Sequence, residues 1–98
     1  NSVVLVDCLT LWLSNLVFEL KSPARVEAEV HTLARLLGGC SGPVFLVSNE
    51  VGMGIVPENA LARQFRDLSG MVNRTMARTA DVVVATIAGI DVQIKPKP

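Results

Sequence analysis

Asp7 stands directly after the apolar run Val3-Val4-Leu5-Val6. A carboxylate at the end of a buried strand suits a hard cation such as Mg²⁺, which takes oxygen ligands and bridges nucleotide phosphates. The same residue could instead cap or turn the chain into a helix, and the pattern alone leaves both roles open. A second group, Ser48-Asn49-Glu50, follows the run Val44-Phe45-Leu46-Val47 and opens into Val51-Gly52-Met53-Gly54-Ile55-Val56. Glycines permit tight or left-handed backbone, and apolar side chains on a loop need a surface to cover them. That surface is a ligand or partner, or else the loop's own domain.

Farther on, Arg63, Asp67, Gly70 and Arg74 recur on the side of a helical pattern opposite its apolar stripe, with Arg66, Gly70, Asn73 and Ala77 on the adjoining face. A glycine inside a helix costs about 1 kcal/mol relative to alanine, so Gly70 is consistent with close approach of a ligand or a neighbouring subunit. The alternative is a solvated face carrying an Arg63 and Asp67 pair at i, i+4. His31 lies off any apolar stripe with Glu27 as its acidic neighbour at helical spacing, which marks an exposed helix residue. Thr10 and Ser14 have no Ser/His/Asp order or nucleophile elbow beside them, so covalent hydrolase chemistry is unsupported. Trp12 falls in an apolar stripe and is assigned to packing.

These residues need elements to position them. The runs at residues 3–6, 44–47 and 82–85 are short, continuous and rich in β-branched residues, and read as strands buried on both faces. Leu9, Trp12, Leu13, Leu16, Val17 and Leu20 repeat at helical spacing, giving a first helix over about 9–20. Ser22-Pro23 supplies a capping hydroxyl before a proline at the first helical position, and Val26, Val30, Leu33 and Leu37 carry a second helix to Gly38-Gly39. A third opens at Pro57 and extends to about Thr79 on the stripe Leu61, Phe65, Leu68, Val72 and Met76. Ala88-Gly89 then turns the chain into an edge strand in which Ile90, Val92 and Ile94 alternate with Asp91, Gln93 and Lys95.

The order β-α-α-β-α-β-β predicts an α/β fold: a mainly parallel sheet flanked by helices, with a C-terminal antiparallel hairpin closing one edge. Ligands on such sheets sit outside the carboxyl ends of the strands, where Asp7 and Ser48-Asn49-Glu50 fall.

Half of the 98 residues are hydrophobic and 18% are charged, a composition that builds a core and opposes disorder. Nine basic and nine acidic residues cancel, so no general field draws the chain to nucleic acid or an anionic membrane, and phosphate binding must be local. No apolar window is long enough to span a membrane, and Asp7 interrupts the one run that could imitate a signal sequence. Cys8 and Cys40 make neither a disulfide framework nor a metal motif, which with the missing signal pattern predicts a cytoplasmic protein. A strand pattern that begins within two residues of Asn1 suggests a piece of something longer. No Gly-Lys pair occurs, so the phosphate-cradling G-x-x-x-x-G-K-[ST] loop is absent from these residues.

The segment from Ser48 to Asn59, continued by Leu61-Ala62-Arg63-Gln64-Phe65-Arg66-Asp67-Leu68-Ser69-Gly70-Met71-Val72-Asn73, resembles the signature of the bifunctional adenosylcobinamide kinase/adenosylcobinamide-phosphate guanylyltransferase family. Asp7-Cys8-Leu9-Thr10 with Asn15-Leu16 is similar to an earlier block of the same family, in the right order. The resemblance covers most of the chain. It implies that residues 1–98 are the C-terminal portion of a single P-loop nucleotide-dependent transferase domain, an incomplete domain that is inactive alone. The full enzyme would phosphorylate adenosylcobinamide, then transfer GMP from GTP to the phosphate through a guanylylated histidine, with GTP, ATP and Mg²⁺ as nucleotide and metal partners. The resemblance also implies a trimer. The P-loop and the acceptor histidine precede the block that Asp7 begins, and His31 does not match that histidine. By position, Asp7 corresponds to the acidic residue that contacts the nucleotide or its Mg²⁺, and Asn49 and Glu50 to the strand-end pair facing the same cleft. Arg66, Asp67 and Asn73 are signature positions that line the cleft or pack subunits. A non-catalytic binding or oligomerisation module is the competing reading.

Overall fold

The computed structural model describes residues 2–50 and 58–96. Its elements follow the expected order: β1 (Val4–Asp7), α1 (Leu9–Leu20), α2 (Pro23–Gly38), β2 (Val44–Val47), α3 (Ala60–Thr79), β3 (Val83–Ile87) and β4 (Ile90–Lys95). The apolar loop at residues 51–57, including the proposed helix start at Pro57, lies outside the described residues.

Each helix begins and ends for a local reason. Cys8 caps α1, its Sγ accepting the Leu11 N–H at 3.4 Å. Lys21 closes the same helix in the left-handed region at φ 53°, its N–H returning to the Val17 carbonyl. Ser22 immediately caps α2 by accepting the Arg25 N–H at 3.3 Å, with Pro23 at the first position, where its missing N–H costs nothing. Asn59 starts α3, its Oδ1 taking the N–H groups of Leu61 at 2.8 Å and Ala62 at 3.2 Å.

The three helices pack on one another around Leu9, Leu13, Val26, Val30, Leu68, Val72 and Met76. Leu9, Leu13, Val26, Val30 and Val72 are each at most 2% exposed, so each contributes about 1.5–3 kcal/mol of transfer free energy. Trp12 is half-buried against this cluster, in the packing role expected of it.

β1 and β2 pair in parallel, with Leu5 opposite Phe45, Val6 opposite Leu46 and Asp7 opposite Val47. Gly42, just before β2, has no room for a side chain: an added Cβ would collide with the Ser2 carbonyl oxygen. The sequence predicts strands buried on both faces, and the structure corrects this. Val6 and Leu46 pack against the helical core, but Leu5 and Phe45, on the opposite face, are 64% and 58% exposed. The face of Val6 and Leu46 therefore meets the cluster built from the three helices, and the face of Leu5 and Phe45 is uncovered among the described residues.

The hairpin β3–β4 is a separate antiparallel sheet and does not pair with β1 or β2. Its turn is the expected two-residue one, with Ala88 at φ 53° and Gly89 at φ 76°, the positive pair a type I′ turn requires. Strict alternation along β4 fails at its end. Val84 faces Gln93 but Val83 faces Lys95, so Ile94 is the extra residue of a β-bulge. The bulge moves Lys95 off the side of Asp91 and Gln93 and onto that of Val83, Ala85 and Val92. From there its Nζ donates to the carbonyls of Ala77 and Arg78, at 3.0 Å each, and caps the end of α3. No helix among the described residues is long and apolar enough to cross a membrane.

Candidate functional site at the carboxyl ends of the parallel strands

The parallel register places Asp7 beside Val47, so Asp7 and the segment 48–50 leave the sheet at the same end. Because Cys8 supplies the cap of α1, Asp7 is not spent on that duty. Its exposed carboxylate has no hydrogen-bond or ion-pair partner among the described residues, and it lies on the strand face shared with Leu5, Phe45 and Val47.

Beside it, side chains from two other elements clasp the exit of β2. The Asn49 N–H donates to Thr10 Oγ1 on the first turn of α1 at 3.0 Å, and Asn73 Nδ2, from the middle of α3, donates to the Asn49 carbonyl at 3.3 Å. Ser48 Oγ lies 2.6 Å from Asn73 Oδ1 and 3.5 Å from Thr10 Oγ1.

The peptide groups of Asn49 have fixed polarity, so they settle every proton in the set. The Asn49 carbonyl accepts only, which turns the Asn73 amide nitrogen toward it and the amide oxygen toward Ser48. Ser48 must then donate to Asn73, leaving its lone pair for Thr10. Thr10 accepts from the Asn49 N–H and donates its own proton to Ser48. The result is a one-directional ring with one long link: Asn49 N–H to Thr10, Thr10 to Ser48 across 3.5 Å, Ser48 to Asn73, Asn73 to the Asn49 carbonyl. Each hydroxyl donates once and accepts once, an arrangement in which successive bonds polarise one another.

Of the other candidates, Asn49 and Glu50 are exposed at this end of the strands. The Arg63 guanidinium donates to the Glu58 carbonyl and so braces the entry to α3. At Gly70 the nearest neighbour of an added Cβ is the Arg74 guanidinium at 3.1 Å, within the same helix. Asp67 is exposed and Arg66 half-buried. His31 is exposed and 3.6 Å from Glu27, as its spacing predicts. No three His, Cys, Asp or Glu residues cluster among the described residues in a way that could hold a metal by themselves.

Sequence reasoning considered Thr10 only as a nucleophile and left Asn73 between cleft lining and subunit packing. Their partners lie 24 to 39 residues away, so no local spacing could have found the ring.

Together these features define an α/β chain with its polar cluster at the strand ends, where proteins of that class bind ligands. The chain belongs to the cobinamide kinase / cobinamide phosphate guanyltransferase family, whose model matches residues 1–94. It is 42% identical to the bifunctional adenosylcobalamin biosynthesis protein CobU of Escherichia coli (strain K12) over 97% of its own length and 59% of the relative's. Identity to the Salmonella typhimurium protein of the same name is 40%, with the same coverage. The bifunctional adenosylcobalamin biosynthesis protein CobP of Pseudomonas aeruginosa is also 40% identical, over 54% of its length. The chain thus spans a little over half the length of these relatives.

Proposed function

We propose that this chain forms the distal wall of the nucleotide cleft in a cobalamin-pathway transferase with a P-loop fold, residues 1–98 being the C-terminal portion of its single domain. The whole protein transfers the γ-phosphoryl group of GTP or ATP to a hydroxyl of adenosylcobinamide. It then joins GMP from GTP to the resulting phosphate, releasing pyrophosphate. The observation that carries this reading is the register that brings Asp7 and the segment 48–50 to one end of two parallel strands, in a family whose description names both activities.

The residues fit a nucleotide-borne Mg²⁺. Such an ion would be held by one or two carboxylates together with phosphates and water rather than by an all-protein cage, and Asp7, which has no partner among the described residues, is a carboxylate of that kind. When bound there it neutralises charge on the phosphates. Asp7 orients the ion from the strand end, while Asn49 and Glu50 line the neighbouring wall. The protein works in the cytoplasm. The uncovered apolar strand face, which includes Leu5 and Phe45, is suited to burial against the rest of this domain, and the family resemblance implies that the whole protein assembles as a trimer.

The test is to incubate the protein expressed from its complete gene with adenosylcobinamide, GTP and Mg²⁺. Adenosylcobinamide phosphate followed by its guanylylated product, with pyrophosphate released, is the expected result. A protein that forms neither product sinks the proposal and favours the non-catalytic module.

A further inference from the structure

We infer that Thr10 and Asn73 are positioning residues that act as one unit, setting the direction in which the chain leaves β2 and thereby placing Asn49 and Glu50 at the nucleotide. This rests on the proposed nucleotide cleft and extends it to residues outside the strand ends.

The geometry has three parts. Both polar groups of the Asn49 backbone are held, the N–H by α1 and the carbonyl by α3, so neither of the two peptide groups that flank Asn49 can rotate without breaking a bond to a helix. The two holding side chains are joined through Ser48, so the clasp is continuous rather than two separate contacts. The residue types are also specific. Position 73 must accept from Ser48 and donate to Asn49 with one short side chain, which asparagine does and aspartate or leucine does not. Position 10 must accept and donate from a single atom, which serine can reproduce and valine cannot. α1 begins at Leu9, two residues after Asp7, so the same clasp ties the segment carrying Asp7 to the segment carrying Asn49 and Glu50.

The ring bonds are at a solvent-facing edge, so breaking them costs little folding stability, whereas displacing a ligand-contacting group by about 1 Å can cost up to about 100-fold in rate. The experiment compares Thr10→Val, Thr10→Ser, Asn73→Leu and the Thr10→Val/Asn73→Leu double variant in the protein expressed from its complete gene. It measures Mg²⁺-dependent GTP affinity, kcat and KM for guanylyl transfer, and the unfolding midpoint. We expect Thr10→Val and Asn73→Leu each to lower kcat/KM for GTP by roughly 10- to 100-fold with little change in the fraction folded. Thr10→Ser should stay within about threefold of the parent, and the double variant should be no worse than the poorer single one, since either change opens the ring.

Unchanged kcat/KM in both single variants, losses that multiply in the double variant, losses that track the folded fraction, or a Thr10→Ser as impaired as Thr10→Val would each overturn the positioning role alone. A parent protein with no Mg²⁺-dependent GTP binding would overturn the proposed function, and this role with it.

Discussion

Replacing Lys95 with methionine should loosen the C-terminal end of α3 and the hairpin together. The ammonium donates two hydrogen bonds of 3.0 Å, to the carbonyls of Ala77 and Arg78. Both belong to the last turn of the helix, whose carbonyls have no intrahelical donor. Methionine keeps most of the apolar stem, so the loss is confined to the two charge-assisted bonds and the favourable placement of a cation at the negative end of the helix. Such bonds are worth about 1.5–3 kcal/mol each when well shielded. Lys95 is only half-buried and its bond to Arg78 is exposed, so about 1–2 kcal/mol in total is the appropriate figure. For a chain of about 100 residues that lowers the thermal midpoint by roughly 4–15 °C. The assay is equilibrium unfolding at low micromolar concentration, followed by far-ultraviolet circular dichroism, with Lys95→Arg alongside. Arginine keeps a charged donor and should retain more than half of the stability. A Lys95→Met variant within about 0.3 kcal/mol of the parent, or one no worse than Lys95→Arg, would refute the bulge-and-cap account, since that is the ordinary scale of surface substitutions.

Two further outcomes follow from the backbone and the uncovered sheet face. Ala88 occupies the left-handed region at φ 53°, where a non-glycine residue is strained by about 1–2 kcal/mol, so Ala88→Asn should stabilise the chain by about 0.5–1 kcal/mol. A lower unfolding midpoint for that variant would contradict the turn assignment. The 98-residue chain on its own should self-associate through Leu5 and Phe45, and Leu5→Lys with Phe45→Lys should shift it toward monomer in sedimentation velocity. A parent chain that sediments as a monomer would count against that face.

Local signals wrote most of the elements plainly. The Ser22-Pro23 cap, the 3.6-residue stripes and the Ala88-Gly89 turn each act over a few residues, and each appears where the sequence places it. Asn59 caps α3 through its own side chain, two residues past the expected start at Pro57, which lies outside the described residues. What the sequence hid was long-range. A continuous apolar run signals burial but does not say how many layers cover it, so the exposure of Leu5 and Phe45 could not be read from their types. The alternation in β4 was correct until Ile94, where one inserted residue reverses the side of Lys95, a change that depends on the partner strand. At the site, the strand-end positions of Asp7 and of residues 48–50 were legible because strands end where polarity begins. The roles of Thr10 and Asn73 emerged only once three distant elements had been brought together.

If Asp7 serves the metal side of a nucleotide cleft, a calorimetric titration of GTP into the complete protein, with Mg²⁺ and then with EDTA, separates the parent from Asp7→Asn. The parent should bind GTP more tightly with Mg²⁺ than without. Asp7→Asn should lose most of that increment, roughly 10-fold or more, because a neutral amide cannot replace a carboxylate at a hard divalent cation. An Asp7→Asn protein that keeps the full Mg²⁺-dependent gain would contradict the account.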